Sequence, residues 1–196
     1  GDDIYEYSTL SIDGLINGDD IRCLREMMGR DINGDTTPGQ LTDVNLADAS
    51  IVEGGGSYGS SRYTENNVIS YGMFADCTDL TNIVLPDNTT AIENEAFSNC
   101  TSLKQLTIPA SVSSVTPSSG CTSLMEINVS AANINYTSVE GVLFSADGQQ
   151  LTWFPIGKDG DYTLPSTVTE IGDYAFRDCN ITHFTLPDNL TEIGQA

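Results

Sequence analysis

The chain has 196 residues, enough for a sizeable core, and 39% of them are hydrophobic, which argues against a disordered tail. With 28 acidic and 7 basic residues the formal net charge is −21, a field that repels phosphate backbones and anionic lipid surfaces. We therefore expect no nucleic acid partner, and apolar runs of only a few residues predict no membrane insertion. The first residues lack the basic and apolar regions of a signal peptide, so any export signal or lipid anchor is expected outside this sequence.

The first 40 residues predict a strand followed by a short helix. STLSIDGLING has the composition of a strand and a turn, and DDIRCLREMMG has apolar residues at helical spacing. The helix is predicted to begin near Asp19 or Asp20 and to end at Gly29. Its inward residues are predicted to be Ile21, Cys23, Leu24 and Met28. We interpret residues 2–40 as an N-terminal cap, because the first coil of a repeat array has an apolar face that no other coil covers.

The stretch DINGDTTPGQLTD resembles the start of a calcium-binding loop. Asp31, Asn33 and Asp35 stand at alternate positions, as ligands do in such loops. The glycine required at the sixth position is Thr36, however, and the acidic residue required at the twelfth is Thr42. We therefore predict a polar loop that joins the cap to the first strand, and no metal site.

The repeat array is predicted to occupy residues 41–196. It begins with a strand in which Leu41, Val44 and Leu46 have the apolar spacing of the later strands. After this strand comes EGGGSYGSSRYTENN, which is rich in Gly, Ser and Asn. We predict a mobile loop over residues 53–67.

A repeat of 22 or 23 residues follows, with the pattern IxxxAFxxCxxLxxIxLP. Its regular phenylalanine and cysteine pairs are Phe74 and Cys77, Phe97 and Cys100, and Phe176 and Cys179. Alternate apolar residues in IxLP predict one strand, ended by proline, and AFxxC predicts one short helical turn. One unit buries too little apolar surface to fold alone. The units are therefore predicted to stack, with their strands forming a parallel sheet.

One unit departs from the pattern before Cys121. The segment VSSVTPSSGCTSLMEINVS has Ser118 in place of the phenylalanine and is two residues short. This departure predicts an open loop instead of the helical turn.

The next unit contains a hairpin. In YTSVEGVLFSADGQQLTWFP, alternating strands flank Asp147 and Gly148, which suit a type I′ turn. We predict an irregular hairpin unit over about residues 133–160. Either Leu151xxPhe154 or Tyr162xLeu164 then supplies the next strand of the main sheet, and we favour the first.

The repeat resembles the BspA-like branch of the leucine-rich repeats, whose consensus runs close to LxxIxLPxxVTxIGxxAFxxCxxL. The match runs from about Asn67 to the end, with several positions kept in several units. The resemblance implies an α/β fold: a right-handed leucine-rich repeat solenoid with a parallel β-sheet on one face and short helical turns on the other, here after a strand-helix cap. It also implies a protein exported by gut or oral Bacteroidetes, extracellular or at the outer-membrane surface. Members of that family are implicated in adhesion to host proteins or to other cells.

Four of the five cysteines fall at one position of the repeat. In-register stacking sets such side chains about 4.7 to 4.9 Å apart, beyond the roughly 3.5 to 4.5 Å between the Cβ atoms of a disulfide. We predict a ladder of buried free thiols.

Candidate catalytic groups are few. The single histidine, His183, excludes a multi-histidine metal site, and no serine lies in a nucleophile elbow. His183 stands between inward Ile181 and Phe184, which turns it outward, so we interpret it as a surface residue. We predict no catalytic residue and no cofactor, and we expect that the protein is not an enzyme.

The open face of the sheet is the candidate binding surface, because the residues flanking each central apolar residue of LxxIxL point away from the core. One predicted column consists of Asp43, Asn82, Gln105, Glu126, Trp153 and His183. A second consists of Asn45, Val84, Thr107, Asn128 and Thr185. Polar outward residues are also the default for a half-exposed sheet, and Trp153 packed against the hairpin is the alternative to an exposed Trp153.

The sequence thus predicts a non-enzymatic, adhesin-like protein that binds another protein, in host matrix or on another cell surface. The alternative is a carbohydrate-binding or scaffold module in glycan capture, with Trp153, Tyr58 and Tyr63 as contacts.

Overall fold

The computed structural model describes residues 2–195 and contains short strands joined by turns. A 3-10 helix spans Asp2–Glu6, and the α-helix α1 spans Gly18–Met27. The strands are β1 (Thr9–Ser11), β2 (Gly14–Ile16), β3 (Asp43–Asn45), β4 (Ala49–Ile51), β5 (Val68–Ile69), β6 (Asn82–Val84), β7 (Ala91–Ile92), β8 (Gln105–Ile108), β9 (Ser114–Val115), β10 (Glu126–Val129), β11 (Tyr136–Val139), β12 (Val142–Ser145), β13 (Gln150–Trp153), β14 (Asp161–Thr163), β15 (Glu170–Ile171), β16 (His183–Thr185) and β17 (Glu192–Ile193).

The strands form two rows. The first row holds the LxxIxL strands, in three sheets with the orders β1-β3-β6, β8-β10 and β14-β16. The second row holds the strands that precede each turn, with the orders β2-β4, β5-β7-β9 and β11-β12-β13-β15-β17. Pairs between coils are parallel, and from β5 onward they join residues 20 to 23 apart, as with Ala91 beside Ser114 and Glu170 beside Glu192. Across the glycine-rich segment, Asp43 pairs with Asn82, 39 residues later. The predicted stacking and its period are confirmed, but the parallel strands lie in two rows.

The inward positions of the repeat form the core between the two rows. Phe74 and Phe97 are fully buried, and their rings stack with centroids 5.6 Å apart. Ile69, Ile92 and Ile171 occupy one position in three coils and are all buried. Each coil therefore covers the apolar residues of the coil before it.

The predicted helical turn at AFxxC is a series of tight turns and not a helix. Alternate N–H groups donate to the carbonyl three residues earlier, as from Ala75 to Gly72 at 3.1 Å, while the N–H groups between them, those of Phe74 and Asp76, donate to the next coil. The backbone is left-handed two residues before and two after the phenylalanine, at Glu95 (φ 56°) and Asn99 (φ 58°) around Phe97. Residues of positive φ cannot continue a right-handed helix, so each turn ends after one step.

Helix α1 packs against the first regular turn. Asn17 is its N-cap and forms a capping box with Asp20. The helix buries Ile21 and Leu24 as predicted, but Cys23 is exposed, so its predicted place in the core is wrong. Cys23 lies on the solvent side of the helix, because its neighbours at Leu24 and Ile21 take the buried side.

The glycine-rich segment at residues 53–67 is anchored to α1 and to the core. The N–H of Gly18 donates to the carbonyl of Gly54 at 3.0 Å. Tyr58 is 1% exposed and lies in the core, where Thr64 is also buried. The segment that the sequence marks as a mobile loop is thus fastened at several points.

The hairpin unit is present, but its turns differ from the prediction. Glu140 and Gly141 both have positive φ (52° and 78°) and connect β11 to β12, which is the type I′ geometry. Between β12 and β13 only Gly148 has positive φ, and its N–H donates to the carbonyl of Ser145 at 2.9 Å. The turn at Asp147 is therefore a type I turn followed by a left-handed glycine, and the type I′ turn lies at the other end of β12.

The favoured register after the hairpin is wrong. Strand β13, which contains Leu151, pairs with β15 in the second row, and β14, which contains Tyr162, pairs with β16 in the first. The reason is that Phe154 occupies the phenylalanine position of the repeat. The Phe154 N–H donates to the carbonyl of Ala175 in the next coil at 2.8 Å. In the same way, the Phe74 N–H donates to the carbonyl of Ala96 in its next coil.

Candidate functional site

The outward residues of the first row form a polar surface, which we name the first-row face. Its members from β3 onward, in the register of the structure, are Asp43, Asn82, Gln105, Glu126, Asp161 and His183 in one column and Asn45, Val84, Thr107, Asn128, Thr163 and Thr185 in the other. Gln105, Glu126 and His183 are exposed, whereas Asp43 and Asn82 are half-buried. The last two are joined by a hydrogen bond of 3.2 Å from Asn82 Nδ2 to Asp43 Oδ1.

Trp153 does not belong to this face. It is 2% exposed and packs in the core, because its strand lies in the second row. Asp161 takes the predicted place of Trp153, and its Oδ1 lies 3.3 Å from Nδ1 of His183. His183 is exposed as predicted and has this carboxylate beside it, but both side chains are more than four-fifths exposed, so solvent screens the pair.

A groove opens in the first-row face between β6 and β8. No backbone hydrogen bond joins these two strands in the described chain, although each pairs with its other neighbour. The groove has a volume of about 530 Å³. Its walls and ends are formed by Asn82, Ile83, Val84, Leu85, Asp87, Gln105, Thr107, Pro109, Ala110 and Ser130.

Main-chain polar groups face this groove. Alternate residues of a strand direct their N–H and C=O groups to opposite neighbours. Asn82 and Val84 bond to the β3 side, since Asn82 N–H donates to Thr42 and Val84 C=O accepts from Leu46. The N–H and C=O of Ile83 therefore point toward β8, where they meet no backbone partner.

The opening is local, because the same coils are bonded elsewhere. In the second row β7 pairs with both β5 and β9. At the turns, Phe74 N–H donates to Ala96 O at 2.8 Å and Asp76 N–H donates to Ser98 O at 2.7 Å. The two coils are therefore joined at the second row and at the turns, and the opening is confined to β6 and β8.

The thiols of the repeat are free and poorly reactive. Cys77, Cys100 and Cys121 are buried, and Cys179 is partly buried. Burial raises the pKa of Cys77 to about 11 and the pKa of Cys121 to about 12. A thiolate is needed for nucleophilic attack, so these cysteines remain protonated at neutral pH.

The loop that resembles a calcium site is closed by its own backbone. The Asp31 carboxylate accepts the N–H groups of Asn33 and Asp35, each at 2.8 Å. Within residues 2–195, no group of three His, Cys, Asp or Glu side chains is placed to hold a metal ion. The helices in the same residues include none with the length and apolar character of a membrane span.

Sequence reasoning found most of the first-row face and missed the groove. Apolar periodicity identifies outward positions, which is why Gln105 and Glu126 lie where they were predicted. The sequence does not indicate that β6 and β8 are unpaired, because the residues of both strands follow the regular repeat pattern. Asp161 was identifiable, since Tyr162xLeu164 followed by proline has the consensus spacing.

The chain belongs to the family of BspA-type leucine-rich repeat regions. The family model matches six copies, over residues 63–155 and 160–196, which is more than half of the chain. The phenylalanine and cysteine pairs of the turns and strands β5 to β17 lie within these matches, whereas β1 to β4 precede them. No curated protein matches the sequence significantly.

Three solved bacterial structures are similar to this chain. The pneumococcal vaccine antigen PcpA is 25% identical with a TM-score of 0.62, over 82% of this chain and 37% of that one. A leucine-rich repeat protein from Eubacterium ventriosum is 17% identical (TM-score 0.48), over 96% of this chain and 57% of that one. A leucine rich cell surface protein from Faecalibacterium prausnitzii is 24% identical (TM-score 0.49), over 79% and 45% respectively. This chain spans less than two thirds of the length of each.

Proposed function

We propose that this chain is a non-enzymatic module that binds another protein through the first-row face. The observation that carries the proposal is the groove between β6 and β8, with polar side chains on its rims and unpaired main-chain groups of Ile83 on its wall. Extended segments of a partner bind such surfaces through main-chain hydrogen bonds and side-chain contacts. Solenoid repeats commonly provide surfaces of this kind.

Charge defines the expected partner. The formal net charge of −21 favours a partner surface that is basic, and acidic Asp43, Asp87 and Glu126 lie in or beside the groove. We propose an extracellular or cell-surface location with host matrix or another cell surface as the target, an adhesin-like role. The similar protein PcpA, described as a pneumococcal vaccine antigen, supports a location accessible from outside the cell.

The N-terminal residues 2–40 are proposed to close the first coil. Helix α1 covers its core side, and the Arg25 side chain bonds to backbone carbonyls of the first turn. We propose right-handed winding of the coils, as in almost all connections between parallel strands.

A pair of charge-matched variants tests the binding face. Gln105→Arg with Thr107→Arg places two long side chains over the groove, and Thr122→Arg with Asn180→Arg places them at exposed positions outside it. The immobilised chain is exposed to host matrix extract, and captured proteins are identified by mass spectrometry. We expect the first variant to lose a captured protein that the wild type and the second variant retain. Equal capture by all three, or capture of no protein, would refute the proposal.

The alternative, a glycan-capture module, loses two of its three predicted contacts. Trp153 and Tyr58 are 2% and 1% exposed and lie in the core, and only Tyr63 remains at the surface. A carbohydrate role for this chain therefore needs a different set of contact residues.

A further inference from the structure

A second cleft lies outside the first-row face, around Tyr71. Tyr71 and Tyr63 are 46% and 59% exposed, unlike the aromatic residues of the core. The residues that line one depression of about 360 Å³ include Tyr58, Arg62, Tyr63, Glu65, Tyr71 and Glu93. A neighbouring depression of about 310 Å³ is lined by Tyr71, Ala91, Ile92, Glu93, Asn94, Ser114 and Thr116. Tyr71 and Glu93 border both, and we call the two together the tyrosine cleft.

The Tyr71 backbone is held at both of its polar groups. Its N–H donates to Oε2 of Glu93 at 2.8 Å, and its carbonyl accepts the hydroxyl of buried Tyr58 at 3.0 Å. Burial raises the pKa of Tyr58 to about 12, so this hydroxyl keeps its proton at physiological pH. Tyr71 is therefore fixed before any ligand arrives, which lowers the entropy cost of binding.

The side chain of Arg62 makes a cation–π contact with the ring of Tyr71. The Arg62 guanidinium lies 4.9 Å from the ring centroid of Tyr71. This approach depends on Gly72, because a Cβ at that position would clash with Nη1 of Arg62. Tyr71 as a whole residue remains 46% exposed beside Arg62.

Polar residues lie beside Tyr71 in the second depression. The Glu93 carboxylate, the exposed Asn94 amide and the hydroxyls of Ser114 and Thr116 line this depression. This combination suits a ligand that is apolar on one face and rich in hydroxyl groups at its edge. A pyranose ring has this form, since its C–H face stacks on an aromatic ring while its hydroxyls bond to carboxylate and amide groups.

Charge narrows the ligand class further. The net charge of −21 repels sulfated and sialylated chains, and Glu65 and Glu93 add negative charge within the cleft. We propose that the tyrosine cleft binds a neutral saccharide, with Tyr71 as the stacking ring and Glu93 and Asn94 as its hydrogen-bonding groups. This site is separate from the first-row face and does not depend on the proposed protein binding.

Saturation-transfer difference NMR on the full chain tests this assignment. The probes are maltohexaose, cellohexaose, mannohexaose, xylohexaose and chitohexaose, with a sulfated heparin hexasaccharide as the charged comparison. The variants are Tyr71→Ala and Asn94→Ala, and Tyr7→Ala serves as the control because Tyr7 is also 52% exposed but lies near β1. Circular dichroism establishes that each variant is folded, and Asn94→Ala, at an exposed side chain, remains informative if Tyr71→Ala does not fold.

We expect at least one neutral hexasaccharide to bind, with an affinity at least about tenfold lower in Tyr71→Ala and unchanged in Tyr7→Ala. The heparin fragment is expected to give no signal. Absence of binding by every neutral probe at about 5 mM, or equal loss in Tyr7→Ala, would overturn the proposal. So would loss of captured protein in Tyr71→Ala without any saccharide binding, because the cleft would then be a protein contact.

Discussion

The cysteine of each repeat joins neighbouring coils. The thiol of Cys100 lies 3.2 Å from the carbonyl oxygen of Phe74, and that of Cys121 lies 3.1 Å from the carbonyl oxygen of Phe97. Both side chains are fully buried, where a small and weakly polar donor fits without an unsatisfied group. The position therefore favours cysteine for packing and for a contact between coils, rather than for reactivity.

Thiol labelling tests this role. Cys23 is exposed, whereas burial raises the pKa of Cys100 well above its ordinary value. Alkylation of the native chain with iodoacetamide near pH 8 is expected to modify Cys23 first, and Cys77, Cys100 and Cys121 only after unfolding. Peptide mass spectrometry over time gives the order. Early modification of Cys100 in the folded chain would contradict the buried ladder.

The burial of most individual residues in the repeat could be predicted from the sequence. Periodicity placed Ile92, Phe97 and Leu106 inward, and all are buried. It failed at Cys23, which was placed on the buried side of the helix, and at Trp153, which the favoured register placed outward. Burial depends on which strand or helix face a residue occupies. For Cys23 the contacts of the cap helix determine the face, and for Trp153 the register of the hairpin determines it.

At the scale of elements, α1 ends the hydrogen-bond ladder of the turns. In later coils the carbonyls of Ala96 and Ser98 accept N–H groups from the preceding coil. The matching carbonyls of the first turn, Met73 and Ala75, accept instead from Nη1 of Arg25 at 3.1 and 2.9 Å. Arg25 is 4% exposed, and its guanidinium supplies the hydrogen-bond donors that a preceding coil supplies in later turns.

Replacement of Arg25 by methionine is expected to lower the free energy of unfolding by about 2 to 4 kcal/mol, because two buried carbonyls lose their donor. Arg22→Met provides the matched control on the same helix. Arg22 is 40% exposed and pairs only with Asp19, so we expect a change within about 0.5 kcal/mol. Urea unfolding followed by circular dichroism measures both. Equal stability of the two variants would show that Arg25 does not close the ladder.

Strands were easier to predict than the connections between them. The LxxIxL strands and the hairpin strands lie where alternation indicated, but the turns at AFxxC are not helical. Glu95 and Tyr174 adopt positive φ, which neither residue type favours, so composition gave no signal for it. The stacked coils impose this conformation, as tertiary contacts often override local preference.

At the scale of the whole molecule, the hairpin lies between two clusters of buried hydrophobic residues. Leu143 and Trp153 join the core of the preceding coils, whereas Val142, Phe144 and Leu151 join the core of the following coils. The ion pair between Arg177 and Glu95 links the coils on either side of this division. An array of this kind is stabilised by nearest-neighbour contacts, which leaves the outward faces free to vary.

The central claim, that the first-row face binds protein, is tested most directly by photo-cross-linking from one residue. Benzoylphenylalanine replaces Gln105 at the groove or, as the control, the exposed Asn180 outside it. Each chain is irradiated in host matrix extract, and adducts are identified by mass spectrometry. We predict that a protein adduct forms from position 105 and not from position 180. Absence of an adduct at position 105, or equal adducts from both positions, would contradict the claim.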